Sequence, residues 1–124
     1  MGLRISKNKR HLEKEGSPFF YLADTCWSAF TNIDEPSWEY YLQYRRRQGY
    51  NTLQINILQQ WDASETVLDN HPFALDEEEN YNFYEIRDAY FEHAYKMCKR
   101  AKEYGFEVAL VVLWCNYVPG TSAT

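Results

Sequence analysis

The sequence contains no CxxC pair and only three cysteines, Cys26, Cys98 and Cys115, set far apart. An odd, scattered set supplies neither a disulfide framework nor metal ligands at a recognisable spacing. Reduced thiols in a cytoplasmic setting are the reading that follows. The opening "MGLRISKNKRHLEKEG" lacks the apolar segment of a secretory leader. No hydrophobic run approaches the ~20 residues that cross a bilayer. Basic charge is also short, with 13 Lys and Arg against 18 Asp and Glu and a net charge of −5. That balance argues against a nucleic-acid surface. The single basic cluster, Arg45, Arg46 and Arg47, falls late in a predicted helix, where it complements the negative end of the dipole. His11, His71 and His93 are scattered, which disfavours a metal triad or a catalytic histidine, and no metal or cofactor is expected. No glycine-rich loop follows the first strand candidate either. The turn there reads "DTCWSAF", which sets aside a doubly wound nucleotide binder.

Aromatic side chains are what the chain has in excess, at 18% of 124 residues, including eleven Tyr and four Trp. Each ring is open to two readings. It can fill a core, or its apolar face and polar edge can line a sugar cleft.

The length suits one domain with a modest core. Residues 1–17 read as a polar lead, and 18–124 as the folded body. A strand is expected over 19–23. Helix punctuation follows, with Asp34 as cap, Pro36 in the first turn and Gly49 at the end. Trp38, Tyr41, Leu42 and Arg45 mark its buried stripe. "YNTLQINIL" gives a second strand. The segment from Gln59 to Phe83 shows no clear period and reads as a structured loop, its acidic 76–79 run being a solvated face. A second helix is expected over 84–104, with Ile86, Tyr90, Ala94, Met97, Ala101 and Tyr104 buried. "FEVALVVLW" is then a third strand, apolar enough to be covered on both faces. The junctions "RRRQGYNTLQINIL" and "AKEYGFEVALVVLW" echo one another, as successive β/α units do. The order β-α-β-α-β implies parallel strands in an α/β fold.

Parallel α/β folds place their sites at the carboxyl ends of the strands. There the sequence sets Asp24, Thr25 and Trp27 after the first strand, and Gln54 and Asn56 in the second with Gln59, Gln60 and Trp61 beyond. Trp114, Asn116 and Tyr117 close the third. Amides and carboxylates that pair with hydroxyls, mixed with flat rings, are what carbohydrate recognition needs. The substrate-binding candidates are therefore Asp24, Thr25, Trp27, Gln54, Asn56, Trp61, Trp114 and Asn116. Asp24 could alternatively cap a short helix. Gln54 and Asn56 share one side of their strand and favour a lumen over a helix layer, where buried amides would be costly. Asp24 and Asp62 are the acids near strand mouths, and Asp62 sits too far past its strand to make a poised pair.

"PFFYLADTCW", the acidic-Pro helix start, "YLQYRRRQGYNTLQINIL" and "YGFEVALVVLW" together resemble the apiosidase-like glycoside hydrolases, many of whose members carry the label endoglucanase. The matching positions are Pro18, Phe19, Phe20, Leu22, Asp24, Thr25 and Trp27, then Tyr41, Leu42, Arg45, Gln48, Gly49, Tyr50 and Asn51. The resemblance spans almost the whole chain. It implies a (β/α)8 TIM barrel acting on plant cell-wall polysaccharide, pectin side chains with apiose among them. It also implies that the two catalytic carboxylates lie on the fourth and seventh strands, beyond Thr124, since a full barrel takes roughly 250 residues. The expectation is thus the βαβαβ N-terminal part of a glycoside hydrolase. That part would contribute a substrate-binding wall and self-associate through open strand edges. The rival is a non-catalytic carbohydrate-binding or interaction module that folds alone.

Overall fold

The computed structural model describes residues 2–58, 70–115 and 118–120. The polar lead is not featureless. It folds as an antiparallel meander of β1 (Arg4–Ile5), β2 (Leu12–Lys14) and β3 (Ser17–Phe19). Buried Ser6 organises the first turn: its hydroxyl accepts from the backbone N–H of Arg10 and His11 and donates to Asn8 Oδ1 at 2.8 Å. Glu15 and Gly16, at φ 53° and 83°, make the two-residue turn that joins β2 to β3. Positive φ at both central positions matches the twist of a tight hairpin.

The single strand expected over 19–23 is two strands in two sheets. β3 ends at Phe19, and β4 (Ala23–Thr25) begins a parallel sheet. Between them Phe20, Tyr21 and Leu22 are exposed, Phe20 at 78%. The physical reason is Asn51. Its Nδ2 donates to Phe20 O at 2.6 Å and its Oδ1 accepts from Leu22 N at 3.0 Å, so the chain is held as it crosses from one sheet to the other.

The short α1 (Ala29–Asn32) follows, and then α2 (Glu35–Arg47), which forms where its punctuation placed it. Asp34 accepts from Ser37 N at 2.9 Å, satisfying an end group that would otherwise lack a partner. Gly49 takes the left-handed conformation that ends the helix, φ 91°. β5 (Thr52–Asn56) comes next. Where a structured loop without regular elements was expected, the described residues include a hairpin, β6 (Phe73–Leu75) and β7 (Tyr81–Ile86). Asp76 accepts from Glu78 N and Asn80 N and so builds its turn, while the 76–79 carboxylates are exposed. α3 (Asp88–Glu103) is shorter than the helix expected over 84–104: Tyr84 and Ile86 belong to β7, and Ile86 is 61% exposed rather than buried. Of the rest of the predicted stripe, Tyr90, Ala94, Met97 and Ala101 are buried, and Tyr104, at the C-cap, is half-buried. β8 (Glu107–Val111) closes the described sheet.

β4, β5 and β8 pair in parallel in that order. α1, α2 and α3 bury Phe30, Trp38, Leu42, Tyr90, Met97 and Ala101 against Leu53 and Ile55 of the central strand. Full burial of a Leu, Ile, Met or Phe side chain contributes about 1.5–3 kcal/mol. The indole N–H of Trp38 donates to Met97 O at 3.1 Å, which ties α2 to α3 without leaving a buried donor unpaired. β8 departs from the expectation of cover on both faces, since Leu110 is exposed, as are Val112 and Leu113 just beyond. Among the described residues no helix is long and apolar enough to cross a membrane.

Candidate functional site

Register decides which side chains share a face. Thr25 lies beside Gln54 and Gln54 beside Ala109, whereas Asp24 lies beside Leu53 and Leu53 beside Val108. Successive side chains on a strand point to opposite faces. Leu53 and Ile55 pack under the helices. Thr25, Gln54 and Asn56 therefore share the other, helix-free face, as the alternation of the two amides had suggested.

Asp24 is on the opposite side from them. Tyr41 of α2 donates to Asp24 Oδ2 at 2.7 Å, and Arg45 Nε lies 2.5 Å from the same oxygen. The Arg45 N–H is not aimed along that line, so the contact is one of charge. The guanidinium is flanked by the Tyr41, Tyr44 and Tyr50 rings at 5.4, 5.9 and 5.5 Å, within the range of cation–π attraction. Beside this cluster, burial pushes the Cys26 thiol up to about 12, opposed by its hydrogen bond with Tyr41. The Tyr41 phenol is likewise driven upward, first by burial. Asp24 thus clamps the edge strand β4 to α2. It does not join the amides, and it does not cap α1 either, whose N-cap is Ser28. Sequence reading missed the Tyr41–Asp24–Arg45 cluster. Its signal was present, because Tyr41 and Arg45 are one helical turn apart on the stripe that faces β4.

On the helix-free face, Asn56 is 3% exposed and neither Nδ2 nor Oδ1 has a hydrogen-bond partner. A buried unpaired amide is costly, and natural folds keep few of them. Its backbone N–H donates to Trp27 O at 3.1 Å, which brings the tips of β4 and β5 together. Trp27 and Trp114 meet edge to face with centroids 4.8 Å apart. Trp114 follows Val111, the register partner of Asn56, so both indoles sit at the tip that carries the amide. Gln54 is half-buried one step inside, and Thr25 is exposed at the rim. The acid that register places on this face is Glu107, at the far end of β8 and paired with Lys14 at 2.8 Å. Trp61 and Asn116, with Gln59, Gln60, Asp62 and Tyr117, lie outside the described residues.

A cleft of about 410 Å³ opens along the free edge of β4, lined by Thr25, Trp27, Asn32, Tyr41 and Arg45 among others. A smaller depression of about 230 Å³ lies between α2 and α3, lined by Trp38, His93, Met97 and Arg100, away from the strand tips. Among the described residues no three His, Cys, Asp or Glu side chains gather as a metal site. Among the described residues, the face shared by Thr25, Gln54 and Asn56 offers at its strand tips amide and hydroxyl groups beside flat rings, and no carboxylate to move a proton.

A family model for the apiosidase-like catalytic domain matches residues 6–124. Among solved structures, one described as a glycoside hydrolase superposes with a TM-score of 0.66 at 25% identity, over 90% of this chain and 25% of its own. A glycoside hydrolase family 5 protein from Bacteroides vulgatus ATCC 8482 gives 0.67 at 24% identity, over 90% of this chain and 24% of that one, a likeness of fold. The chain spans about a quarter of the length of these structures. No curated protein matches it. With a parallel α/β sheet, a helix-free face of amides and indoles, and a family match along nearly all its residues, the chain belongs to the apiosidase-like family.

Proposed function

We propose that this chain forms one wall of the sugar cleft in a (β/α)8-barrel glycoside hydrolase acting on plant cell-wall polysaccharide, with pectin side chains and apiose-type linkages as candidate substrates. The observation that carries the reading is Asn56, buried and unpaired on the face away from the helices, at the same end of the strands as the Trp27 and Trp114 indoles. A sugar hydroxyl both donates and accepts, and can satisfy both ends of an amide whose folded neighbours do not. Gln54 and Thr25 extend the polar floor and the indoles supply the apolar face, while Trp61 and Asn116 stay sugar-binding candidates on the sequence alone. Asp24 lines the cleft at the edge of β4, and its bonds to Tyr41 and Arg45 give it the role of holding the outer strand in place.

Hydrolysis needs two carboxyl groups about 5–5.5 Å apart for retention or about 6.5–9.5 Å apart for inversion. The described residues bring no such pair to the strand tips, so this wall recognises substrate and the proton transfers belong to acids outside it. Mass-verified chain is expected to bind pectic oligosaccharide, seen by NMR titration, without releasing sugar. Turnover by the pure chain would overturn that division of labour, and absence of binding would overturn the reading itself. Among the described residues β4 and β8 pair only with β5, and β8 runs on into exposed Val112 and Leu113. Such edges invite pairing with another strand. Light scattering is expected to find species larger than the 14.9 kDa monomer. A cooperative monomer that binds sugar would favour the self-standing binding module instead.

A further inference from the structure

The hairpin β6–β7 stands at the same end of the sheet as the two indoles. The chain leaves β5 through Ile57, whose carbonyl accepts from Tyr90 OH at 2.6 Å, and Arg87 N closes the hairpin's base on Pro72 O at 3.0 Å. α3 starts immediately after. The base of the arm is thereby pinned near the carboxyl end of β5.

One face of this arm is a set of braced rings. Phe83 lies 5.0 Å from Phe73 and 6.1 Å from Tyr81, both edge-on, yet remains 57% exposed. A phenyl group held by two neighbours offers its free surface with little rotamer entropy left to lose. Beside it Tyr81 OH and His71 Nδ1 are 3.2 Å apart, a polar edge next to the apolar face. Tyr84, one residue on and fully exposed at 100%, points to the opposite side of the strand.

Charge narrows what can rest there. Between residues 70 and 86 the sequence carries Asp76, Glu77, Glu78, Glu79 and Glu85 and no lysine or arginine. All five are exposed. A polyuronate or nucleic-acid strand would be repelled within a Debye length of about 8 Å at physiological salt. A neutral chain of pyranose rings would not.

We propose that the Phe83 face of the β6–β7 hairpin is an outer saccharide subsite that takes a neutral segment of a glycan running out of the cleft. It rests on the reading of the cleft as a sugar site, and it adds a residue, a position and a charge preference to that reading. The test is NMR titration of the full 124-residue chain with neutral β-linked oligosaccharides from two to six sugars, alongside an oligogalacturonate of six. Affinity should rise with length in the neutral series. Phe83→Ala should weaken the hexasaccharide by about three- to tenfold, the scale of one aromatic contact, and leave the disaccharide unchanged. Phe83→Tyr, which keeps the ring, should retain the gain, and Tyr84→Ala should have no effect. Trp114→Ala should weaken short and long ligands alike. The oligogalacturonate should bind more weakly than its neutral counterpart and recover as salt is added.

If the disaccharide binds and Phe83→Ala spares the hexasaccharide, the subsite is refuted while the cleft survives. If no neutral sugar binds at all, both fall. If Tyr84→Ala takes away the length gain, or if Phe83→Ala disperses a self-associated form without touching glycan affinity, the face has been wrongly assigned and the proposal is overturned.

Discussion

Replacing Asn56 by leucine should make the fold more stable and the sugar site worse. Both polar atoms of Asn56 are buried without partners, in a side chain 3% exposed. An unsatisfied buried polar group costs about 1–3 kcal/mol. Leucine is close in shape and removes that penalty, while its branching in a packed strand gives back part of the gain, typically about 1 kcal/mol. A net increase of about 1–2 kcal/mol is therefore expected for Asn56→Leu. With a urea m-value of about 1–3 kcal/mol/M the midpoint should rise by roughly 1 M. Saccharide binding should fall about tenfold or more, since the amide can no longer pair with a hydroxyl. Asn56→Ala, which leaves a cavity, should gain less stability or none. Equilibrium urea unfolding followed by fluorescence, with NMR titration on the same samples, reads both effects. A midpoint that falls by 1 M or more, with m unchanged, would mean that the amide is satisfied in the folded chain, and the functional interpretation of Asn56 would fail with it.

Asp24→Ala leaves the Tyr41 hydroxyl and the Arg45 charge without their carboxylate. It should destabilise the chain by about 1–2 kcal/mol, a charge-assisted bond discounted for partial exposure, with sugar affinity unchanged; a loss of affinity at constant stability would return Asp24 to the site. Cys26 should resist alkylation while exposed Cys115 reacts, as read by peptide mass spectrometry with iodoacetamide. Because its folded value is raised from 9.0 to about 12, the stability held by the neutral thiol is fully present below pH 9 and lost as pH rises through that window. Cys26→Ser should flatten the alkaline limb, and an unchanged limb would contradict this. Glu39 is held down to about 2 from 4.5, first by its hydrogen bonds from Arg100 at 2.6 and 2.8 Å and then by Tyr104. Its contribution is present above pH 4.5 and lost as pH falls toward 2, so Glu39→Gln should weaken the acid dependence of amide exchange in α2.

The legible parts of the fold are those where local signals agree. Asp34, Pro36 and Gly49 mark α2 independently. Gly49 and Gly105, at φ 91° and 84°, end the two helices in the same way, and this is the repeat visible in the sequence. The split between β3 and β4 was hidden because Phe19, Phe20, Tyr21 and Leu22 all favour a strand. What divides them is the amide of Asn51, 31 residues away from Phe20 in sequence, and propensity carries no information about a partner that distant. The hairpin was masked by a similar conflict. Tyr81 and Phe83 alternate with period two, but Ile86, Tyr90 and Ala94 also fit a helical spacing, and the turn built by Asp76 resolves the ambiguity in favour of strand. At the site, alternation alone put Gln54 and Asn56 on one face. The side taken by Asp24 needed the register of β4 against β5, which a single sequence does not specify.

The most direct measurement is of the side-chain amide and indole signals of the intact chain during titration with a neutral pectic oligosaccharide. Gln54 and Asn56 amides and the Trp27 and Trp114 indoles should shift together along one saturating curve, with the signals of Tyr41 and Arg45 unmoved. Saturating shifts confined to the Tyr41–Asp24–Arg45 cluster, or amides that stay still while sugar binds elsewhere, would contradict the helix-free face as the saccharide wall.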